Sequence, residues 1–259
     1  MSTSQISPFL QVNGVQKSYD QRTILSDINV NVRQGEFVAI VGRSGCGKST
    51  LLRLIAGLEA PSSGSVMLGN RKLGRTAPET RFLFQEARLL PWKSVLDNVR
   101  LGIPDKNKEG RQDRAKTRAD ILAGLDRFGL SGYADAYPDE LSGGMRQRVA
   151  MLRTLLTGGQ LMLLDEPFGA LDALTKREMH RWLLELWESL GKTMLFITHD
   201  IEEALLLSDR IILLTPGRQS QQLQDITVPL PRPRHSDMIY EPALVQMRRL
   251  LEEQLHAKR

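Results

Sequence analysis

Apolar residues along this chain form short continuous runs that predict buried strands. The clearest is Phe37–Val41, which lies between Gly35 and Gly42 and is apolar at every position, as expected for a strand buried on both faces. Similar or loosely alternating patterns predict further strands at Phe9–Tyr19, Ile28–Val32, Gly64–Leu68, Thr80–Phe84, Leu161–Leu164, Met194–Thr198 and Ile211–Leu214.

Apolar residues at helical spacing predict the helices between these strands. They cover Ser49–Gly57, Arg111–Phe128, a segment containing Val149, Leu152 and Leu156, then Lys176–Leu190 and Pro242–His256. Strands that alternate with helices indicate a parallel α/β sheet, whereas residues 86–157 are mostly helical and charged and predict an insertion into it. Pro231–Arg234 predicts a stiff, extended linker before the last helix.

The composition limits the possible classes of protein. Of the 259 residues, 41% are hydrophobic and 25% are charged, which is typical of a globular chain and excludes wholesale disorder. Aromatic residues make up 5%, too few to favour a base-stacking surface for nucleic acid. The net charge of +5 lies partly in Arg100–Arg118, which we interpret as a solvated helical face.

Three features of the sequence indicate the cellular compartment of the protein. No apolar run is long enough to span a membrane, and Met1–Pro8 is polar, unlike a signal peptide. The chain has one cysteine, Cys46, which cannot form an internal disulfide and is consistent with a reducing compartment. We therefore expect a soluble, cytoplasmic chain.

A glycine-rich segment after the first buried strand predicts a phosphate-binding loop. Gly42-Arg43-Ser44-Gly45-Cys46-Gly47-Lys48-Ser49 fits the pattern G-x-x-x-x-G-K-[ST] between a predicted strand and a predicted helix, the context that this pattern requires. Backbone N–H groups would surround the phosphates, Lys48 would reach the β- and γ-phosphates, and the Ser49 hydroxyl would help to hold Mg²⁺. Thr50, the next residue, is assigned to the same predicted nucleotide-binding site.

Two carboxylates follow the strand predicted at Leu161–Leu164. At the carboxyl end of a parallel strand, Asp165 and Glu166 would face the same crevice as the phosphate-binding loop. Asp165 is placed to hold the Mg²⁺ shell, and Glu166 is free to act on an attacking water as general base.

A second candidate anion site precedes a long helix. Ser142, Gly143 and Gly144 combine a hydroxyl with two glycines at a helix N-terminus, and either bind phosphate or merely cap the helix. One chain would then carry two phosphate sites but one set of catalytic carboxylates. Two copies arranged head to tail could place each nucleotide between the loop of one and the second site of the other.

Together these motifs resemble the ATP-binding subunit of ATP-binding-cassette (ABC) transporters, over about Leu10 to Pro231. The resemblance implies an α/β fold of the P-loop NTPase (RecA-like) class, with a parallel-sheet core, an antiparallel β portion and an inserted α-helical subdomain. The implied ATPase domain covers residues 9–231, with a core at 9–85 and 158–231 and the helical subdomain at 86–157. Residues 232–259 would be a linker and a C-terminal helix.

The resemblance also implies roles for single residues. Tyr19 would stack on adenine, Gln85 would touch Mg²⁺ or water, and His199 would contact the γ-phosphate and position water. Ser142–Gly144 would be the signature that completes the partner's site, although Met145 replaces the usual Gln. The loop Gly169–Asp172 would cross the dimer interface, with Gly where Ser is common.

A finer resemblance links the chain to importers of nitrate, sulfonates, taurine and thiamine precursors, through Leu89–Trp92, Asp165–Asp172 and Leu230–Arg234. In these relatives an Asp-Pro turn usually stands where this chain has Thr157–Gln160. Trp92 either lines a groove for a helix of a membrane partner or packs in the core.

The importer resemblance further implies a homodimer or paired cassette that works with integral-membrane permease subunits and, through them, a solute-binding protein at the cytoplasmic face of the cell membrane. No nucleic acid is expected as a partner. Two rivals are a non-transport ABC ATPase that serves nucleic acids, supported by the basic segment Arg100–Arg118, and an assembly scaffold with weak ATPase activity.

The sequence also predicts the reactivity of the cysteine in the phosphate-binding loop. Cys46 lies beside Lys48 and at a helix N-terminus, both of which favour a thiolate. We therefore expect a lowered thiol pKa and alkylation that inhibits ATP hydrolysis unless ATP is bound.

Overall fold

The computed structural model describes residues 8–256 apart from 21, 75, 104–110, 157 and 216–221. The strands are β1 Leu10–Tyr19, β2 Arg22–Val32, β3 Phe37–Gly42, β4 Ser63–Leu68, β5 Arg71–Lys72, β6 Thr80–Leu83, β7 Leu161–Asp165, β8 Thr193–Thr198, β9 Arg210–Thr215 and β10 Gln222–Thr227. The helices are α1 Lys48–Ile55, α2 Val95–Arg100, α3 Arg111–Arg127, α4 Gly143–Leu156, α5 Ala173–Leu190, α6 Ile201–Leu207 and α7 Pro242–His256, with short 3₁₀ turns at Pro138–Glu140 and Ser236–Tyr240.

The larger of two sheets is mostly parallel. Its order is β10-β9-β3-β8-β7-β6, in which β10 pairs with β9 antiparallel and the other pairs are parallel. Every residue of β3, β7 and β8 is buried, because helices or the second sheet cover both faces of these apolar runs. The parallel core therefore agrees with the sequence pattern.

The smaller sheet is antiparallel, with the order β2-β1-β4-β5. Inward-facing residues of β1 and β2, such as Val12, Val15 and Val30, share one core with α1 and one face of the parallel sheet. The strand predicted at Ile28–Val32 is longer in the structure and begins at Arg22, because its first half also pairs with β1.

Helices α2, α3 and α4 lie in the predicted helical region and share a second core with the other face of the large sheet. Asn98 is completely buried in α2, and its side-chain amide bonds the backbone at Leu90, Lys93 and Ser94. The loop before α2 is thereby fixed to the helix. The predicted domain bounds remain predictions.

Some sequence expectations fall outside the described residues. These are Met1–Ser7 of the N-terminal segment, the part of Arg100–Arg118 at 104–110, and Thr157. Among the described residues, none of the helices combines the length and apolar character that crossing a membrane requires.

The segment Pro231–Arg234, predicted as a linker, is bonded into the core. Arg234 is 5% exposed, and its guanidinium donates to backbone carbonyls of Leu205, Leu206, Ser208 and Leu230. Arg232 donates to Asp209 and lies 3.9 Å from the ring centroid of Trp187. The segment thus fixes the start of the C-terminal region to the end of α6.

Substitution of Arg234 by Ala should lower the free energy of unfolding by about 2–4 kcal/mol, because buried carbonyls lose a charged donor. Burial lowers the pKa of Arg234 to about 10, so the donor is charged at neutral pH. Arg248→Ala is the matched control, since its ion pairs with Glu202 and Glu252 are exposed and should contribute less than about 1 kcal/mol. Urea unfolding of the full chain measures both free energies. Equal, small losses in the two variants would contradict the role of Arg234 in fixing the C-terminal segment to the end of α6.

Candidate functional site

The predicted catalytic residues follow four neighbouring strands of the parallel sheet. The phosphate-binding loop follows β3, His199 follows β8, Asp165 and Glu166 end β7, and Gln85 follows β6. Because β3, β8, β7 and β6 are adjacent and parallel, their carboxyl ends meet at one edge. Residues far apart in sequence therefore form one site.

The loop between β3 and α1 needs its glycines for backbone conformation. Gly45 and Gly47 have φ of 78° and 96°, in the left-handed region, and a Cβ at Gly47 would lie 2.7 Å from the Leu25 side chain. Lys48 is 7% exposed, and its Nζ donates to the carbonyls of Gly42 at 2.8 Å and Arg43 at 3.0 Å. The lysine charge is held against the loop that the sequence assigns to phosphate.

Ser49 and Asp165 form the candidate cation position. The Ser49 hydroxyl donates to Oδ1 of Asp165 at 3.0 Å, which joins the first turn of α1 to the end of β7. Burial raises the pKa of Asp165, and the Ser49 bond opposes that change. One hydroxyl and one carboxylate suit Mg²⁺, which keeps several waters and takes phosphate oxygens as further ligands. The described residues contain no cluster of three or more His, Cys, Asp or Glu side chains that could hold a metal.

Glu166 is the point where the predicted catalytic side chains converge. Its Oε2 accepts a hydrogen bond from Nε2 of Gln85 at 3.2 Å and lies 3.7 Å from Nδ1 of His199. Its φ of 47° is in the left-handed region, a strained conformation for a glutamate. The backbone N–H donates to the Ile197 carbonyl at 3.1 Å, which ties the strained residue to β8.

Tyr19 reaches the site from the antiparallel sheet. It ends β1, is 41% exposed, donates its hydroxyl to Glu59 and has the Lys17 ammonium 4.9 Å from its ring centroid. Burial raises the pKa of Tyr19, and a hydrogen bond with Thr50 opposes that rise. Tyr19 therefore lies near Thr50, in the first turn of α1 beside the phosphate-binding loop.

The second candidate anion site lies at the N-terminus of α4. The Ser142 hydroxyl accepts from the backbone N–H of Met145 at 3.2 Å and so caps the helix. A Cβ at Gly144 would lie 3.3 Å from the Ala170 carbonyl and 3.4 Å from the Leu171 side chain, so this glycine packs against the loop after β7. Among the described residues, no hydrogen bond joins Ser142–Gly144 to the phosphate-binding loop. Its role as a phosphate site therefore stays a prediction.

Cys46 contradicts the sequence expectation of a reactive thiol. It is 6% exposed, and burial raises the pKa of its thiol despite the opposing effects of Lys48 and backbone N–H groups. The prediction of a lowered pKa is wrong because the side chain packs inward, among the apolar residues between α1 and the sheet. Proximity in sequence to a lysine and a helix N-terminus does not reveal that orientation.

Trp92 is 71% exposed, so the interpretation that it packs in the core is wrong.

Arg153 on α4 is a residue that the sequence motifs did not single out. Its guanidinium donates to the carbonyls of Ala87 at 3.0 Å and Arg88 at 3.1 Å. It thereby fixes the loop that follows Gln85. A charged residue on the otherwise buried face of α4 was the available signal.

The sequence matches known proteins over most of its length. The family model described as ABC transporter matches residues 25–169. A Pectobacterium atrosepticum protein named aliphatic sulfonates import ATP-binding protein SsuB is 50% identical over 225 residues, 87% of this chain and 80% of that protein. The protein of the same name from Albidiferax ferrireducens is 49% identical, with 87% and 76% covered.

Solved structures show the same fold. A dimeric ATP-binding cassette in a post-hydrolysis state, bound to ADP and phosphate, has a TM-score of 0.75 and 31% identity, covering 86% of this chain and 100% of that one. A Clostridium perfringens protein described as part of the ABC transporter complex CbiONQ has a TM-score of 0.72 and 25% identity, with 95% and 99% covered. The predicted fold class is confirmed.

Alkylation of Cys46 by iodoacetamide should be at least about tenfold slower in the native chain than in the same chain unfolded by urea, because burial limits access and the thiolate fraction falls as the pKa rises. Mass spectrometry of timed samples measures both rates. Native labelling as fast as, or faster than, labelling of the unfolded chain would contradict the buried, protonated thiol.

Proposed function

This chain belongs to the ABC transporter family as one of its ATP-binding, ATP-hydrolysing proteins, and from that premise we propose that it drives the import of aliphatic sulfonates. The observation that carries the proposal is the 50% identity to an aliphatic sulfonates import ATP-binding protein over 87% of the chain. The convergence of Gln85 and His199 on Glu166 supports a hydrolytic role for the site. Among the solutes that the sequence suggested, these relatives favour aliphatic sulfonates, the chemical class that includes taurine, over nitrate and the pyrimidine-type thiamine precursors.

Nucleotide binding is assigned to the loop from Gly42 to Thr50 and to Tyr19. Backbone N–H groups of the loop and the Lys48 ammonium would surround the phosphates, while the exposed face of Tyr19 would stack on adenine. Lys48 would exchange its present bonds to loop carbonyls for phosphate oxygens. Ser49 and Asp165, with Gln85 at the edge, would hold Mg²⁺, which when bound neutralises charge on the phosphates.

Hydrolysis needs a base, a positioned water and a stabilised leaving group. Glu166 would accept a proton as the water oxygen bonds to the γ-phosphorus and the bond to the β-phosphate oxygen breaks, giving ADP and phosphate. His199, 65% exposed at its side chain, is free to contact the γ-phosphate, and Gln85 holds Oε2 of Glu166. The left-handed backbone of Glu166 would preset the carboxylate for this step.

Each site would be completed by a second copy of the chain. Ser142, Gly143 and Gly144 of one copy would face the γ-phosphate bound by the other, so that ATP joins the two cassettes and hydrolysis releases them. The dimeric form of a structural neighbour with 31% identity supports this arrangement.

Membrane subunits would convert the dimer's closure into transport. The relatives are named as import ATP-binding proteins, which supports integral-membrane permease partners and a position at the cytoplasmic face of the cell membrane. A solute-binding protein would act through the permease, and Mg²⁺-ATP would supply the energy. The exposed Trp92, close in sequence to Gln85, offers apolar surface for a short helix of the permease.

Substitution of Glu166 by Gln should lower kcat for ATP hydrolysis by about a hundredfold or more while ATP still binds, because the amide cannot accept the proton. Steady-state phosphate release and binding of a fluorescent ATP analogue measure the two effects. Glu188→Gln, the same change at an exposed position of α5, should hydrolyse at the native rate. Undiminished hydrolysis by Glu166→Gln would exclude the general-base assignment.

The same variant tests the dimer. With ATP, Glu166→Gln should elute as a dimer in size-exclusion chromatography because the bound nucleotide persists. Adding Ser142→Arg should keep the chain monomeric without loss of ATP binding, whereas Ser131→Arg, an exposed serine of the helical region, should not. Normal dimerisation of the Ser142 variant would contradict the trans site.

The solute is tested in cells that lack their own sulfonate-import ATPase but retain its permease and solute-binding protein. The native chain should restore growth on an aliphatic sulfonate as sole sulfur source, and Glu166→Gln should not. If the chain hydrolyses ATP but restores uptake of nitrate alone, expressed with the matching permease, the sulfonate assignment is wrong.

A further inference from the structure

Glu203 is a buried carboxylate that the proposed reaction does not use. It lies in the first turn of α6 and is 4% exposed, although glutamate is rarely buried without a compensating partner. It is four residues beyond His199 in sequence. Its contacts therefore bear on how the histidine is held.

Two elements besides α6 supply partners to this carboxylate. Oε1 lies 2.8 Å from the Lys176 ammonium and 3.5 Å from Nε2 of His180, both on α5. Oε2 accepts a hydrogen bond from the Thr198 hydroxyl at 2.5 Å, at the end of β8. Burial alone raises the pKa of Glu203, but the nearby His180 and the bonds from Lys176 and Thr198 outweigh it and lower the pKa below its usual value. The group is therefore a fixed anion at neutral pH.

These bonds fix the residues on both sides of His199 in the sequence. The Thr198 hydroxyl that donates to Glu203 also accepts from the backbone N–H of Asp200 at 3.0 Å. Asp200 in turn accepts from the N–H groups of Glu202 and Glu203 and lies 3.5 Å from Lys176. The residues before and after His199 are thus fixed to one charged cluster, while the imidazole itself is exposed.

The cluster also contacts the loop that carries Glu166. Phe168 is two residues after Glu166, and His180 packs edge-on against it, with ring centroids 4.5 Å apart. Lys176 lies in the first turn of α5. Asp172 caps this helix and is the last residue of the loop that begins at Glu166. The Glu203 carboxylate therefore links the backbone next to His199 to the backbone next to Glu166. The side chains of these two residues lie 3.7 Å apart.

We propose that Glu203 is a positioning residue for ATP hydrolysis, which holds the His199 turn in register with Glu166 through Thr198 and Lys176. The inference rests on the proposed roles of His199 and Glu166. Glu203 is 4% exposed and would act only through these neighbours. A neutral side chain of the same shape would fill the space but would not hold Lys176 or accept as strongly from Thr198.

The test compares Glu203→Gln with Glu202→Gln, the same change at the preceding residue, which is exposed and pairs with Arg248. In the full chain, Glu203→Gln should lower kcat for ATP hydrolysis by about ten- to a hundredfold with KM for ATP changed less than about twofold. Glu202→Gln should leave both constants unchanged. A purely structural role would move the melting temperature, not kcat alone.

Thr198→Val keeps the test valid should Glu203→Gln fold poorly, because it removes one hydroxyl and leaves the carboxylate and Lys176 paired. It should show the same selective loss of kcat. Native kcat in either folded variant would overturn the proposal.

Failure of this inference is distinguishable from failure of the proposed function. Loss of turnover in Glu166→Gln together with native kcat in Glu203→Gln would leave the hydrolytic assignment standing and reject the positioning role alone.

Discussion

The parallel pairing of four adjacent strands is the constraint on which the rest of the structure depends. β6, β7, β8 and β3 are adjacent, and the apolar residues of the last three are buried on both faces. Burial on both faces forces polar chemistry to the strand ends, since a charge within these runs would lack a partner. The phosphate-binding loop, two carboxylates, the histidine and the glutamine therefore share one edge because the sheet offers them no other place.

The charged side chains at that edge each have a hydrogen-bond partner within the protein. Lys48 donates to loop carbonyls, Asp165 accepts from Ser49, and Glu166 accepts from Gln85. Each bond can be exchanged for one to phosphate, cation or water at small net cost, because a hydrogen bond of similar kind replaces it. Lys48, Asp165 and Glu166 thus have protein partners that a ligand could replace.

Local patterns in the sequence predicted which strand ends and turns carry the candidate site residues, and the structure has those residues at these positions. The glycines at 45 and 47 are required by backbone conformation, and Asp165 and Glu166 follow a run whose burial is evident from its composition. What the sequence could not supply depends on tertiary packing. Cys46 points inward rather than toward phosphate, and Arg234 is bonded to α6 rather than exposed in a linker, because partners distant in sequence determine both environments.

Helix α6 shows why those distant partners matter for the site. Its seven residues are too few to form a stable helix alone, so its position depends on bonds at both ends. Asp200 caps the first turn, and Arg234 from the C-terminal segment bonds the last carbonyls. Since α6 begins two residues after His199, the C-terminal segment helps to hold the backbone beside this proposed catalytic side chain. The segment beyond the strand-and-helix core is therefore part of what holds the candidate site in shape.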